Sequence, residues 1–374
     1  MIKYLGSKRL LLDAIGAAVD SFGESRRVLD LFSGTSRVGH ALKRRGHYVI
    51  ANDHLHFAAN LARTYVEADG RVYRERAARL IDELNEIEGI PGYVTQTFCT
   101  EARYFRPENG MRIDAIRERI ETLDVDCTLK AILLTSLIEA ADRVDSTTGV
   151  QMAYLKEWAK RAYNPLSMRL PEILDGPGEA HRFDALDAAG AFEVDLAYLD
   201  PPYNQHRYIG NYHVWETITR WDHPEAYGIA RKRIQAKDHK SPFNSKREIE
   251  GAMRQVLERL RAKEIIVSFN NEGYLSRETL EEMLADYGHV ETVAIDFKRY
   301  VGAQIGIYNL SGKKVGRVGR LRNIEFLFIV SQDPDAARHA AAAVIRAEKK
   351  RRDALPKGSR ARVTAAKIAE GQRE

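Results

Sequence analysis

Residues 26–53 read RRVLDLFSGTSRVGHALKRRGHYVIAND, and this stretch decides the fold. RRVLDL (26–31) and HYVIAN (47–52) are short β-compatible runs, and 36–45 between them has helical spacing. A strand, a crossover helix and a second strand form the repeating unit of a parallel sheet. Small residues at the strand-to-helix turn let a ligand approach the backbone, and the helix that follows presents N–H groups at its start. The turn is not GxGxxG, since only Gly34 and Gly39 are present, and no Gly-Lys-Ser/Thr follows it as in a P-loop. A dinucleotide or a triphosphate is therefore disfavoured. The second strand ends at Asn52-Asp53, where a carboxylate can accept hydrogen bonds from ribose hydroxyls. An adenosine without a phosphate chain fits both features.

The same alternation extends outward. Helices are expected over 9–20 and 56–67, and strands near 195–199, 264–269, 292–297 and 324–330. From about 71 to 165 the apolar residues of ERAARLIDELNEIEG and LKAILLTSLIEAADRV fall at helical spacing, with few strand signals between them. The expected fold is α/β, a doubly wound, mostly parallel sheet with a mainly helical insertion. Segments 1–70 and 166–332 would form the sheet domain, 71–165 the insertion, and 333–374 a basic tail, helical in part or disordered.

With 374 residues, 44% of them hydrophobic, the chain has room for a large core. Cys99 and Cys127 lie far apart with no CxxC partner, which suggests neither a disulfide framework nor a zinc site and fits a reducing cytoplasm. Asp13 interrupts the apolar run of the first twenty residues, so they read as a loop and a helix rather than a signal peptide. No apolar run approaches the ~20 residues of a membrane span. The net charge of +5 is unevenly spread: 333–374 carries 11 Lys/Arg against 6 Asp/Glu and 206–247 carries 9 against 4. Each segment is thus +5 and the rest of the chain is −5. A solvated face explains either run, and a polyanionic partner explains both.

A second stretch carries chemistry. In LAYLDPPYN (196–204) a buried strand must stop at Pro201, which cannot donate to a sheet ladder and biases Asp200 toward an extended backbone. Asp200 is thereby held just beyond a strand's carboxyl end, the edge at which open α/β sheets bind ligands.

KYLGSK at 3–8, DLFSGTSRVG at 30–39, the acid Asp53 and DPPY at 200–203, in that order, resemble a known family. It comprises S-adenosylmethionine-dependent amino-group DNA methyltransferases, specifically the Dam-like N6-adenine branch of restriction–modification systems. The similarity in pattern spans roughly residues 1–330 and implies a Rossmann-like methyltransferase fold with target recognition placed in the insertion. It further implies that Tyr4, Gly6 and Lys8 approach the cofactor from the amino-terminal loop, and that Asp30, Phe32, Ser33, Gly34 and Thr35 form its main wall. Asp53 would hold the ribose. Asp184, or Asp187 in its place, would meet the adenine amino group.

By the same resemblance Asp200, Pro201, Pro202 and Tyr203 are catalytic. Adenine's exocyclic nitrogen is a poor nucleophile because its lone pair is delocalised into the ring. Asp200 and the Pro201 carbonyl can accept its two hydrogen bonds, an interaction that strengthens as positive charge develops on that nitrogen. Tyr203 offers a face for a base flipped out of double-stranded DNA. A sulfonium is already a good leaving group, so no metal is required. The segment after DPPY mixes cations with aromatics, and Arg207, Tyr208, Arg231, Lys232 and Arg233 are the expected DNA contacts, with Tyr212 and Trp215 either core or stacking residues. Membership of a restriction–modification pair would supply a cognate endonuclease as partner. N4-cytosine methylation, RNA adenine methylation, an idle DNA-binding protein on the same fold and a Rossmann oxidoreductase are the rival readings. The intact DPPY speaks against the idle protein and the missing third glycine against the oxidoreductase.

Overall fold

The computed structural model describes residues 1–23, 26–238, 240–298, 307–308, 314–316 and 322–354. The chain opens with α1 (Leu12–Ser21), β1 (Arg27–Asp30), α2 (Arg37–Arg44), β2 (Tyr48–Asn52) and α3 (His56–Ala62). Three long helices follow: α4 (Gly70–Asn85), α5 (Pro107–Thr122) and α6 (Cys127–Val144). Next come β3 (Glu179–His181), α7 (Ala185–Ala191), β4 (Glu193–Leu199), α8 (Tyr208–Asn211), α9 (His213–Arg220) and α10 (Ile249–Arg259). The last elements of the sheet are β5 (Arg261–Asn270), β6 (His289–Lys298) and β7 (Arg322–Ser331), with α11 (Arg277–Ala285) after β5 and α12 (Pro334–Asp353) after β7. The result is a mixed α/β chain with a mostly parallel sheet. Among the described residues no helix is long and apolar enough to cross a membrane.

The chain divides into two compact units. One contains residues 9–29, 189–205 and 242 onward. Its strands run in the order β1-β4-β5-β7-β6. β4 and β5 are parallel, with Leu199 opposite Val267. β7 runs against both its neighbours, with Phe326 opposite Phe269 on β5 and Ala294 on β6. Residues Ile265–Asn270 are buried without alternation, as a strand covered on both faces should be.

In this unit α12 supplies the helical part expected of the basic region from 333 and packs it into the unit's core. Asp333 caps the helix by accepting from Asp335 N at 2.9 Å, and Pro334 sits at its first turn. Ala337, Ala340, Ala341 and Val344 are buried at helical spacing, and α12 packs along α1, whose Ala14, Ile15, Ala18 and Val19 are buried as well. The rest of the expected tail, 355–374, lies outside the described residues.

The other unit contains residues 1–8, 30–188 and 206–241. β2 and β3 pair in parallel, with Asn52 opposite His181. Helices α3, α4 and α6 form over the stretches with helical spacing and α5 lies between them, and Asp69 and Asp126 cap α4 and α6 through backbone N–H groups at 2.9–3.0 Å. The helices of 71–165 do not pack as a separate body. Phe57, Leu61 and Tyr65 share one apolar core with Leu133, Leu137 and Ile138 of α6, with Tyr212, and with Trp215 and Ile218 of α9. Residues 30–70 fall in the same unit as these helices, because the apolar face of α3 is covered by α6 and α9.

Candidate functional site

Three loops of the second-described unit converge at the carboxyl ends of β1, β2 and β3. Asp30, buried at the end of β1, accepts from Ser33 Oγ at 3.0 Å and from Gly39 N at 3.1 Å, closing the 30–39 turn on itself. The turn is tight enough to need its glycines. A Cβ on Gly39 would stand 2.9 Å from Val66 Cγ2, and Gly34 adopts φ +54°. Ser36, at φ 59°, takes the same left-handed conformation without being glycine and stands fully buried at the position before α2. Thr35 is buried, whereas Phe32 is half-buried and keeps part of its ring outside the core.

Asp53 organises the edge. One carboxylate oxygen accepts from Gly34 N at 2.9 Å and the other from Leu55 N at 3.0 Å, so the residue ties the first loop to the start of α3. Burial pushes its carboxyl above the ordinary aspartate range, against the pull of those two N–H groups. Each oxygen retains a second lone pair with which to accept from a ligand. Ser33 N donates to Asn52 O at 2.9 Å, fastening the loops of β1 and β2 together.

The third loop holds Asp184. Buried Asn52 grips the main chain of Phe183 from both sides, accepting its N–H at 2.9 Å and donating to its carbonyl at 3.3 Å, and Asp53 N donates to His181 O at 3.3 Å. Asp184 is exposed at this edge and caps α7 by accepting from Leu186 N at 2.9 Å. Asp187 lies in the first turn of α7, further from the grip of Asn52. Phe183, 43% exposed and stacked on His181, was not singled out by sequence. Its only signal was an aromatic beside the candidate acid. A cleft of about 300 Å³ in the same unit is lined by His54, His56, Arg182, Ile209, Glu216 and Arg220.

The amino-terminal loop reaches the first of these loops. A Cβ on Gly34 would lie 3.2 Å from Tyr4 Cε1, so Tyr4 packs on the Gly34 backbone. Gly6 takes φ +76°, and Lys8 is buried rather than a solvated surface charge.

In the unit that holds β4 and β5, the DPPY loop sits at the carboxyl end of β4. Asp200 directly follows the strand and is half-buried, and Pro201 is buried. Tyr203 is clamped from the end of β5: Tyr274 N donates to its carbonyl at 2.9 Å, and Phe269 meets its ring edge-on at 5.7 Å. Asn244 Nδ2 donates to the carbonyl of Asn204 at 2.7 Å. The turn that carries Tyr274 is itself held, since Asn270 accepts from Glu272 N at 2.8 Å and donates to buried Glu325 at 3.4 Å. Nothing in the sequence pairs Asn270 with a glutamate fifty-five positions away; the β5–β7 register sets them opposite each other.

The expected DNA contacts divide. Arg207 is exposed. Tyr212 and Trp215 are core. Tyr208 stacks on Tyr4. Residues 226–227 and 232–233 pair antiparallel around a tight turn, and successive side chains of a strand point to opposite faces. Arg233 accordingly turns inward, fully buried, with its guanidinium forked onto Asp222 at 2.6 and 3.2 Å, which corrects its assignment to phosphate. Arg231 is paired with Glu101. Lys232 is half-buried, and burial lowers its pKa. Replacing Arg233 with alanine would empty a fully buried position and leave Asp222 to its other ion pair with Arg220, and is expected to cost about 3 kcal/mol of stability. Urea denaturation would reveal it as a shifted midpoint, without selective loss of DNA affinity.

Comparison with known proteins adds an independent line. Residues 4–283 match the family model described as D12 class N6 adenine-specific DNA methyltransferase. The chain is 32% identical over 320 residues to modification methylase StsI of Streptococcus sanguinis, covering 80% of this chain and 49% of that protein. It is 31% identical to type II methyltransferase M.FokI of Planomicrobium okeanokoites, over 79% of this chain and 48% of that protein. It is 30% identical to type II methyltransferase M.NlaIII of Neisseria lactamica, over 80% of this chain and 92% of that protein. The chain thus spans about half the length of the first two relatives and nearly all of the third. No solved structure matches it significantly.

Proposed function

The chain belongs to the D12 class of N6 adenine-specific DNA methyltransferases, and from that premise we propose that it methylates the N6 amino group of adenine at a specific site in double-stranded DNA, using S-adenosylmethionine. The observation that carries the reading is DPPY held rigidly at the carboxyl end of β4, inside the matched span. The donor set of the other site supports the cofactor. Three acids, Asp30, Asp53 and Asp184, serve the loops of one edge, a setting that disfavours phosphates and suits hydroxyl groups, an amino group and a cationic sulfonium. Half-buried Phe32 and exposed Phe183 offer apolar surface to a nucleoside base. When bound, S-adenosylmethionine supplies an electrophilic methyl group on sulfur.

Within this reading Asp53 accepts from the ribose, and Tyr4, Gly6, Lys8 and the 30–35 turn enclose the nucleoside, with Asp184 rather than Asp187 toward the adenine amino group. Asp200 and the Pro201 carbonyl accept hydrogen bonds from the target amino group, so its nitrogen lone pair is freed from the ring as the methyl approaches. Pro201 and Pro202 limit the backbone freedom of these acceptors, which is where positioning contributes to rate. Tyr203, clamped by Tyr274 and Phe269, presents its ring to the flipped base. The insertion at 71–165 reads the bases within a doubly wound methyltransferase architecture, while Arg207 and Lys232 remain on the phosphate side. A cognate endonuclease completes a restriction–modification pair.

Incubation with labelled S-adenosylmethionine and plasmid DNA, followed by nucleoside analysis, tests the whole reading. N6-methyladenine is the expected product. Label in cytosine, or transfer to RNA alone, would overturn the target assignment. A finer test is Asp53→Ala, which removes the ribose acceptor and the anchor of Gly34 N together. It is expected to weaken S-adenosylmethionine binding on the order of tenfold to a hundredfold. Unchanged calorimetric affinity would contradict the role given to Asp53.

A further inference from the structure

We propose that Tyr208 and Tyr212, although they lie in the basic segment that follows DPPY, are positioning residues for the cofactor site: they hold Tyr4 against Gly34 and so set the affinity for S-adenosylmethionine. The inference rests on the reading that the 3–8 and 30–39 loops bind that cofactor. All the contacts fall within one unit of the chain. The ring of Tyr4 lies 4.6 Å from that of Tyr212 and 5.2 Å from that of Tyr208, in both cases tilted by 17°. These are near-parallel rings at stacking distance. Tyr212 is fully buried, and its hydroxyl accepts the backbone N–H of Leu5 at 2.5 Å. The same Tyr4 ring meets the Gly34 backbone closely enough that a Cβ there would stand 3.2 Å from Cε1 and 3.3 Å from the hydroxyl. Gly34 N in turn donates to Asp53 at 2.9 Å. A continuous series of contacts therefore runs from Asp53 through Gly34 and Tyr4 to α8 and α9.

The preceding residues of the loop are fixed independently. Arg37 donates to the carbonyl of Ile2 at 3.0 Å, Lys3 N donates to Asp142 at 3.1 Å, and the Lys3 ammonium lies 3.0 Å from Asp142 and 3.3 Å from Asp145. Those anchors settle residues 2 and 3. From residue 4 onward the loop takes its course from the tyrosine stack and from the Tyr212 hydroxyl. Gly6 then turns the chain at φ +76°. A role limited to core packing would lower thermal stability and weaken all ligands alike. A positioning role lowers cofactor affinity in the absence of DNA and spares nonspecific DNA binding.

Calorimetric titration of S-adenosylmethionine into the full chain without DNA, beside duplex binding and a thermal melt, separates these cases. Tyr208→Ala is expected to weaken cofactor binding about tenfold, the upper range for an aromatic stack. Tyr208→Phe keeps the ring and should restore wild-type affinity. Tyr212→Phe preserves volume and removes the hydroxyl that accepts from Leu5 N, so about a fivefold loss is expected even if the alanine variant fails to fold. Wild-type cofactor affinity in both Tyr208→Ala and Tyr212→Phe would overturn the proposal, as would a loss in Tyr208→Ala confined to DNA binding. If the wild-type chain itself binds no S-adenosylmethionine, the cofactor reading fails and the proposal falls with it, an outcome distinct from variants that match a competent parent.

Discussion

Asp200→Ala is expected to lower methyl transfer about a thousandfold while S-adenosylmethionine binds with unchanged affinity. The split follows from the division of labour. Asp200 stands at the end of β4 and is assigned to the target amino group, whereas Asp53 and the 30–39 turn are assigned to the cofactor. Removing the carboxylate removes an acceptor whose interaction grows with charge on the reacting nitrogen, so the loss falls on the transition state rather than on binding. Asp200→Asn keeps one carbonyl acceptor and should lie between the two. Single-turnover rates at saturating cofactor, with calorimetry alongside, provide the measurement. Near-wild-type turnover in the alanine variant would refute the mechanism, and a parallel collapse of cofactor affinity would show that Asp200 had been placed on the wrong ligand.

Much of this site was legible because its residues are local in sequence. The run from Arg26 to Asp53 contains a strand, its turn, its helix and the next strand's terminal acid, so periodicity and turn chemistry place Asp30, Gly34 and Asp53 together without long-range information. DPPY is likewise self-explanatory, because two prolines must end the strand that precedes them. Features that depend on distant partners were not legible. β3 is three residues long and has no apolar run of its own, so it is defined by pairing with β2 rather than by composition. Arg233 sits in a row of three cations that reads as a DNA-contacting patch, and the inward turn is decided by the pairing of 232–233 with 226–227 and by Asp222. The tyrosine stack joins residues 4 and 208, and no pattern short of the fold connects them. Glu325 would read as a polar interruption of a strand until the β5–β7 register sets it opposite Asn270.

The packing of the basic carboxyl-terminal helix was not legible for a different reason. Hydropathy gives alanine little weight, and the buried face of α12 is built largely from Ala337, Ala340, Ala341 and Ala343, with Val344 as its large apolar residue. Small side chains let two helices approach closely, so modest residues bury substantial backbone and Cβ surface. The facing positions on α1 are similarly small, with Ala14 and Ala18 flanking Ile15 and Val19. Glu348, buried and paired with Arg351 at 2.7 Å, extends the ordered helix into its basic final turns.

Deleting the chain from residue 334 onward should therefore yield an insoluble or unfolded product, not an active core with weaker DNA binding. The deletion exposes the apolar face of α1 and the flank of β6 and β7 that α12 covers. Uncovering Ile15 and Val19 of α1 costs roughly 1.5–3 kcal/mol each, and with the lost burial of Val344 and of the alanine methyls the total falls within the 5–15 kcal/mol that stabilises a typical domain. A chain ended after Ala354 keeps the whole helix and separates the two roles, since it removes cations without uncovering α1. That variant should remain soluble, melt near the parent temperature and lose only part of its salt-sensitive affinity for arbitrary duplex DNA. The point variant Ala340→Asp offers the same test inside the intact chain: a carboxylate placed at a fully buried helix contact should cost several kcal/mol and lower the melting temperature sharply. A soluble, fully active protein lacking 334–354 would mean that α12 rests on the unit without supporting it.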